Sequence, residues 1–274
     1  MIGQDQIAKR FVRLALVIFT CGGFCLGSDA PGSSATSKLP DLLQRMGEQM
    51  SEYLDRFSDV RCAERVVQEK FRNGKDKIDL KEESTYDYLV MLSNTGGELN
   101  LSESRLPVHE AKADKKNRSM LVSNGFATLF LVFHPLYSNS FEFSTLGEEV
   151  VNGHRLTKVA FRHIRGTRTP AAMALRGREY PLELSGTAWI DTDTSAIARI
   201  SAGIDNTMVD VGLNTLQTDV EFAPVPFHDP EKTYWFPSRA VVEVETPRQH
   251  WRNTHEFTHY QRFSVNTEEQ VLHQ

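Results

Sequence analysis

The sequence predicts an α+β domain whose bulk is an antiparallel sheet, and three observations carry that expectation. A single helical stripe of apolar residues stands at residues 39–57. After residue 140 the chain alternates apolar and polar residues with period two, the pattern of a sheet buried on one face. Turn signals separate the alternating runs, namely Asn73-Gly74, Asn152-Gly153 and Asp191-Thr-Asp193-Thr194.

The N-terminus reads as a secretory signal. Lys9, Arg10 and Arg13 precede an apolar stretch from Leu14 to Leu26, and Ser28-Asp-Ala30 fits the small-x-small cleavage pattern. That stretch is shorter than the roughly 20 apolar residues a membrane-spanning helix needs. Lipid attachment through Cys21 or Cys25 is disfavoured against release, because Phe19 and Phe24 sit where small residues are expected before a lipidated cysteine. Cleavage removes three basic and two acidic residues and leaves a net charge of −6. An acidic domain without a basic run has no electrostatic footprint for nucleic acid. Only Cys62 would remain, so no internal disulfide forms and the fold must stand on its core. Its strand-like setting reads as a packing cysteine.

Residues 31–37 form a flexible leader of Pro, Gly, Ser, Ala and Thr. A helix follows, with Pro40 in its first turn and Leu39, Leu42, Leu43, Met46, Met50, Tyr53, Leu54 and Phe57 at helical spacing. Extended segments are expected at 60–72 and 77–93. The polar, Lys-rich stretch 94–119 breaks the regularity, with a short strand near 107–111. Phe126, Leu129, Phe130, Phe133 and Leu136 fall on one helical face, while Leu131 and Val132 make its back apolar too. Such a segment is buried or lines an apolar cavity, and periodicity does not separate a helix here from a short buried strand pair. Strands are expected at 141–150, 155–164, 180–191, 196–205, 213–223, 234–246 and 251–265, with a long mobile loop at 165–179. Alternation is clearest late, where Leu182, Leu184, Gly186, Ala188 and Ile190 share one face, as do Leu216, Thr218, Val220 and Phe222. No repeat is present. One domain over 38–266 accounts for the chain between leader and a polar tail at 267–274.

No residue cluster carries an obvious chemistry. His255-Glu-Phe-Thr-His259 lies in a strand pattern, where four residues separate side chains by about 13 Å, too far for two ligands of one metal. Asp191 and Asp193, with Glu183 nearby, could be drawn as a glycosidase carboxylate pair. Asp and Thr between two strands are more ordinarily a turn that bonds its own backbone. There is no G-x-S-x-G, glycine-rich phosphate loop or H-E-x-x-H.

Three segments, Glu148 to Leu156, Leu184 to Ile200, and Val220-Glu-Phe-Ala-Pro-Val through Tyr234-Trp-Phe-Pro-Ser to Phe263, resemble the LolA-like superfamily of periplasmic lipoprotein-sorting carriers. The order of elements resembles it as well: signal peptide, amphipathic helix, meander strands, a greasy central segment, more strands. The resemblance implies a strongly curved antiparallel sheet, an incomplete β-barrel, with helices plugging its concave side. It further implies a periplasmic carrier for lipid or lipoprotein acyl chains that does no covalent chemistry and needs no cofactor or metal. Phe126, Leu129, Phe130, Phe133 and Leu136 would then line the hydrophobic cavity. The motifs are structural, and the alternative on the same fold is an envelope interaction or stress-sensing domain that contacts another envelope protein without lipid cargo.

Overall fold

The computed structural model describes residues 38–57, 60–72, 77–95, 98–108, 126, 128–175, 177–227 and 233–262. The signal peptide, leader and tail expected at 1–30, 31–37 and 267–274 lie outside the described residues, as does the Asn73-Gly74 turn.

Helix α1 (Lys38–Phe57) begins with Pro40 and Asp41 in its first turn, which suits the free amides and positive dipole end there. Leu42, Met46 and Met50 recur every four residues and are buried. Each contributes about 1.5–3 kcal/mol by leaving water, which holds the helix in place. Gly47 of α1 faces Pro135, where a Cβ would lie in contact at 3.4 Å from the proline Cγ.

Ten strands form one antiparallel sheet: β1 (Val60–Phe71), β2 (Ile78–Thr95), β3 (Glu98–Pro107), β4 (Phe141–Val151), β5 (His154–His163), β8 (Leu184–Asp191), β9 (Ile197–Ile204), β10 (Thr215–Pro226), β11 (Thr233–Glu245) and β12 (His250–Arg262). β6 (Ala172–Leu175) and β7 (Arg178–Pro181) make a separate small hairpin. The spatial order is β3-β2-β1-β12-β11-β10-β9-β8-β5-β4. β1 therefore pairs with the last strand as well as with β2, and β3 and β4 are the two edges, so the sheet is not closed into a barrel.

Register explains the alternation. Ala240 and Val66 both face His255, and Val220 faces Ala240 on one side and Ile200 on the other. Ala240, Val220 and Ile200, with Ala188, Val159 and Phe161, are buried together with Leu42, Met46 and Met50 in one core. The opposite face is wet and carries cross-strand ion pairs, as where Arg65 reaches Glu83 on β2 and Glu256 on β12. At Gly186 the packing leaves no room for a side chain: a Cβ would stand 2.1 Å from the Ser201 carbonyl oxygen. Asn152 and Gly153, both at positive φ, close the β4–β5 turn as expected for such a pair.

Three local expectations are corrected. β3 occupies part of the stretch read as irregular, because Glu103 and Arg105 sit on its inward face and mask the alternation. The loop expected at 165–179 contains the β6–β7 hairpin, turned around Gly177 at φ 74. The central apolar segment is a 3-10 helix, Thr128–Phe133, followed by the short helix α2 (Pro135–Ser138). His134 precedes a proline and is extended at φ −70, ψ 139, which breaks the single helical face drawn through residue 136.

Candidate functional site

α1 lies between two cavities. The first, about 350 Å³, has an apolar floor of Met46, Met50, Phe130 and Ile197. Its mouth is formed by Gln49 and Glu52 of α1, the β8–β9 turn at Thr194 and Ser195, and Thr233 to Trp235 at the start of β11. The second, about 650 Å³, lies against Leu43, Gly47 and Ser51 of α1, with Phe133 and Pro135 above and Phe141 and Phe143 of β4 beyond. At 100° per residue Gln49 and Glu52 point to one flank of the helix and Leu43, Gly47 and Ser51 to the other, either side of the buried Leu42–Met46–Met50 row. Both volumes fall in the range of small-molecule sites, about 300–1,000 Å³.

The five residues singled out from the sequence separate into four settings. Phe130 lines the first cavity and packs on Phe222 with ring centroids 4.7 Å apart. Phe133 lines the second and meets Phe143 at 5.5 Å and Phe161 at 5.9 Å. One turn of 3-10 helix, about 6 Å, separates them, so one segment serves both cavities. Phe126 and Leu129 are buried in the core, Phe126 edge-on to His255 at 4.6 Å. Leu136 is 42% exposed and borders neither cavity. Sequence reasoning missed the α1 contribution, because the Met46–Met50 stripe reads as packing. It also missed the paired aromatics Tyr234 and Trp235, whose signal was their position at a strand opening.

The β8–β9 turn is rigidly built. Asp191 Oδ1 accepts from the amides of Asp193 and Thr194, at 3.1 and 2.8 Å, and from the Thr194 hydroxyl at 2.9 Å. Its Oδ2 lies 2.8 Å from His154 Nδ1. Burial would raise this carboxyl, but the bonds from Thr194 and His154 hold it below its ordinary value. With Asp191 thus engaged and Asp193 paired to Arg155, the two aspartates serve a turn. The turn carries Ser195, at φ 58 and only 4% exposed, to the cavity mouth, where its Oγ accepts from Arg45 Nε of α1 at 3.2 Å. His154 packs edge-on to Trp235 at 5.4 Å. Across α1, Ser51 Oγ lies 3.4 Å from His134 Nε2, and burial pushes that imidazole below its ordinary value.

A second polar constellation lies under Phe126, within the core. Glu64 is fully buried on β1 and receives Arg105 of β3 at 2.5 and 2.9 Å, while His255 Nδ1 of β12 lies 2.7 Å away. Burial raises Glu64, yet His255 and Arg105 together hold it below its ordinary value; burial pushes His255 down. Arg105 also bridges to Glu103 and stacks over Tyr88, 5.1 Å from the ring centre. These groups satisfy one another and join three strands at one end of the sheet. His259, the other histidine of the tempting pair, is exposed at φ 56. Among the described residues no three His, Cys, Asp or Glu side chains converge as metal ligands. Burial also pushes the Cys62 thiol up to about 12, which places it with the packing residues. No helix among the described residues is long and apolar enough to cross a membrane.

No family model matches the sequence, and no curated protein matches it. Solved structures do. A DUF1329 family protein from Desulfovibrio piger aligns at 12% identity and a TM-score of 0.46, over 85% of this chain and 95% of its own. A putative outer membrane lipoprotein-sorting protein domain from Vibrio parahaemolyticus aligns at 9% identity and 0.42, over 83% and 94%. The lipoprotein LppX of Mycobacterium tuberculosis aligns at 12% identity and 0.24, over 84% and 99%.

Proposed function

We propose that the protein is a non-covalent binder of acyl chains, exported from the cytoplasm, which holds its ligand between α1 and the sheet. α1 and the 3-10 helix act in this reading as a plug on the inner side of an open, curved sheet. The observation that carries it is the pair of cavities beside one helix, the first floored by methionine and aromatic side chains and the second by leucine and aromatic ones, each with a polar rim. A flexible thioether floor accommodates an acyl chain without demanding one shape. Each buried methylene gains up to ~0.8 kcal/mol, so about fifteen gain up to ~12 kcal/mol. Lost freedom of motion costs at least about 4 kcal/mol, which leaves affinity in the micromolar range at best. Non-covalent holding needs no reactive group. Binding another acylated protein and delivering it within the envelope is the carrier form of the same reading.

The test blocks each mouth separately. Thr233 and Gln44 are exposed rim residues of the first and second cavity, so Thr233→Trp and Gln44→Trp obstruct without overfilling the core. A fluorescent acyl probe should bind the wild type, and at least one of these variants should weaken it about tenfold or more with unchanged melting. A wild type that takes up no probe refutes acyl binding, and equal binding by all three proteins places the ligand elsewhere.

A further inference from the structure

The rim of the first cavity is asymmetric in charge, and this selects a ligand. Arg45, Gln49 and Glu52 stand at i, i+4 and i+7 along one flank of α1. Arginines on the sheet face carboxylates: Arg65 meets Glu83, Arg199 meets Asp219, Arg252 meets Glu243 and Arg239 meets Glu221. Arg45 is different. Among the described residues it makes one hydrogen bond, Nε to Ser195 Oγ, and no carboxylate lies against it. Arg45 stands just outside the cavity lining, joined to it through Ser195, with the Nη groups of its fork available beside that residue. Ser195 accepts from Arg45, which leaves its own hydroxyl proton to donate, and this side chain is 4% exposed and among the cavity lining. Donors from a guanidinium and a buried hydroxyl, set beside an apolar floor, match an oxyanion attached to an apolar chain. Glu52, of opposite sign, lies about 10 Å further along the helix axis, so the basic end of this flank is the end beside Ser195. Tyr234 and Trp235 supply amphipathic rings at the same level, suited to the junction between polar head and chain.

We propose that the first cavity is an anionic-amphiphile site in which Arg45 and Ser195 bind the head group, a carboxylate or phosphate, while the chain lies over Met46, Met50 and Phe130. The proposal rests on the acyl-binding reading and narrows it from apolar chains in general to those with an acidic head.

Two matched pairs of probes test it on the full chain by displacement titration: palmitate against hexadecanol, and lysophosphatidate against monoacylglycerol. The acidic member of at least one pair should bind about five- to tenfold tighter than its neutral partner, the gain of a partly exposed charge-assisted contact. A preference confined to palmitate identifies a fatty acid head, and one confined to lysophosphatidate identifies a phosphate head. Arg45→Gln should abolish the preference while leaving the neutral probes' affinity unchanged, and raising salt should shrink the preference in the wild type. Equal affinity within both pairs overturns the head-group site and leaves acyl binding standing. So does an Arg45→Gln effect of equal size on acidic and neutral probes, which marks a structural role. Failure of all four probes to bind removes both proposals.

Discussion

Replacing Glu64 by alanine should be among the most costly single changes in the sheet. The carboxylate is fully buried and accepts two bonds from Arg105, at 2.5 and 2.9 Å, with His255 at 2.7 Å. Its removal takes the shortest contacts from a guanidinium whose side chain is 14% exposed and an imidazole that is 2% exposed. Breaking a buried pair from one side costs about 3–5 kcal/mol, and Glu103, 3.4 Å from Arg105, offsets part of that cost. Removing both partners in Glu64→Met/Arg105→Met should cost clearly less than the two single changes summed, since the apolar pair needs no desolvation of charge. The sign with pH follows from the two shifts. Glu64 is held below its ordinary 4.5, so its contribution is present above that value and fades as pH falls through the folded-state value. His255 is held below its ordinary 6.5, so the unfolded chain takes up the proton first and stability also falls as pH drops below about 6.5. Urea unfolding of the full chain at descending pH reads both effects. A Glu64→Ala cost below about 1 kcal/mol, or a double variant as costly as the sum of the singles, would refute the cluster's structural role.

Other outcomes follow from particular contacts. Gly186→Ala drives a methyl to within 2.1 Å of the Ser201 carbonyl and 2.8 Å of the Phe161 ring, so β8 and β9 must part; a loss of about 1–3 kcal/mol or more in urea unfolding is expected. Cys62 is buried and its thiol is pushed up to about 12, so a thiolate-directed alkylating reagent at neutral pH should label it only after unfolding, as read by intact mass. Asp191→Ala removes three bonds within the β8–β9 turn and the partner of His154. It should cost about 1–3 kcal/mol and, by releasing Ser195, weaken acidic probes more than neutral ones in the titrations above.

Much of the sheet is legible in the sequence because its strands alternate strictly, as Leu184, Gly186, Ala188 and Ile190 do on β8. β3 escaped because burial there selects Glu103 and Arg105, and the pairing of Arg105 with both Glu103 and Glu64 substitutes for apolar character and erases the period. The apolar run Phe126–Phe133 is legible as buried, but not its conformation: Pro135 forces His134 out of helical geometry and turns Leu136 to solvent. The cavities are the least legible feature. Met46 and Leu43 belong to one sequence stripe, yet the first borders one cavity and the second the other. Spacing predicts which side of a helix faces inward, whereas a cavity depends on where the neighbouring turn and strand ends stop short of it. Ser195 illustrates this, since only the Asp191-centred turn brings it to Arg45.

The most direct test of acyl binding is native mass spectrometry of the protein isolated from the cells that make it, followed by organic extraction of whatever it carries. The expected result is a mass increment that disappears on extraction and is recovered as an acyl species. A protein that flies empty, and stays empty after incubation with palmitate and lysophosphatidate, would contradict acyl binding and leave the fold as a scaffold for protein contacts.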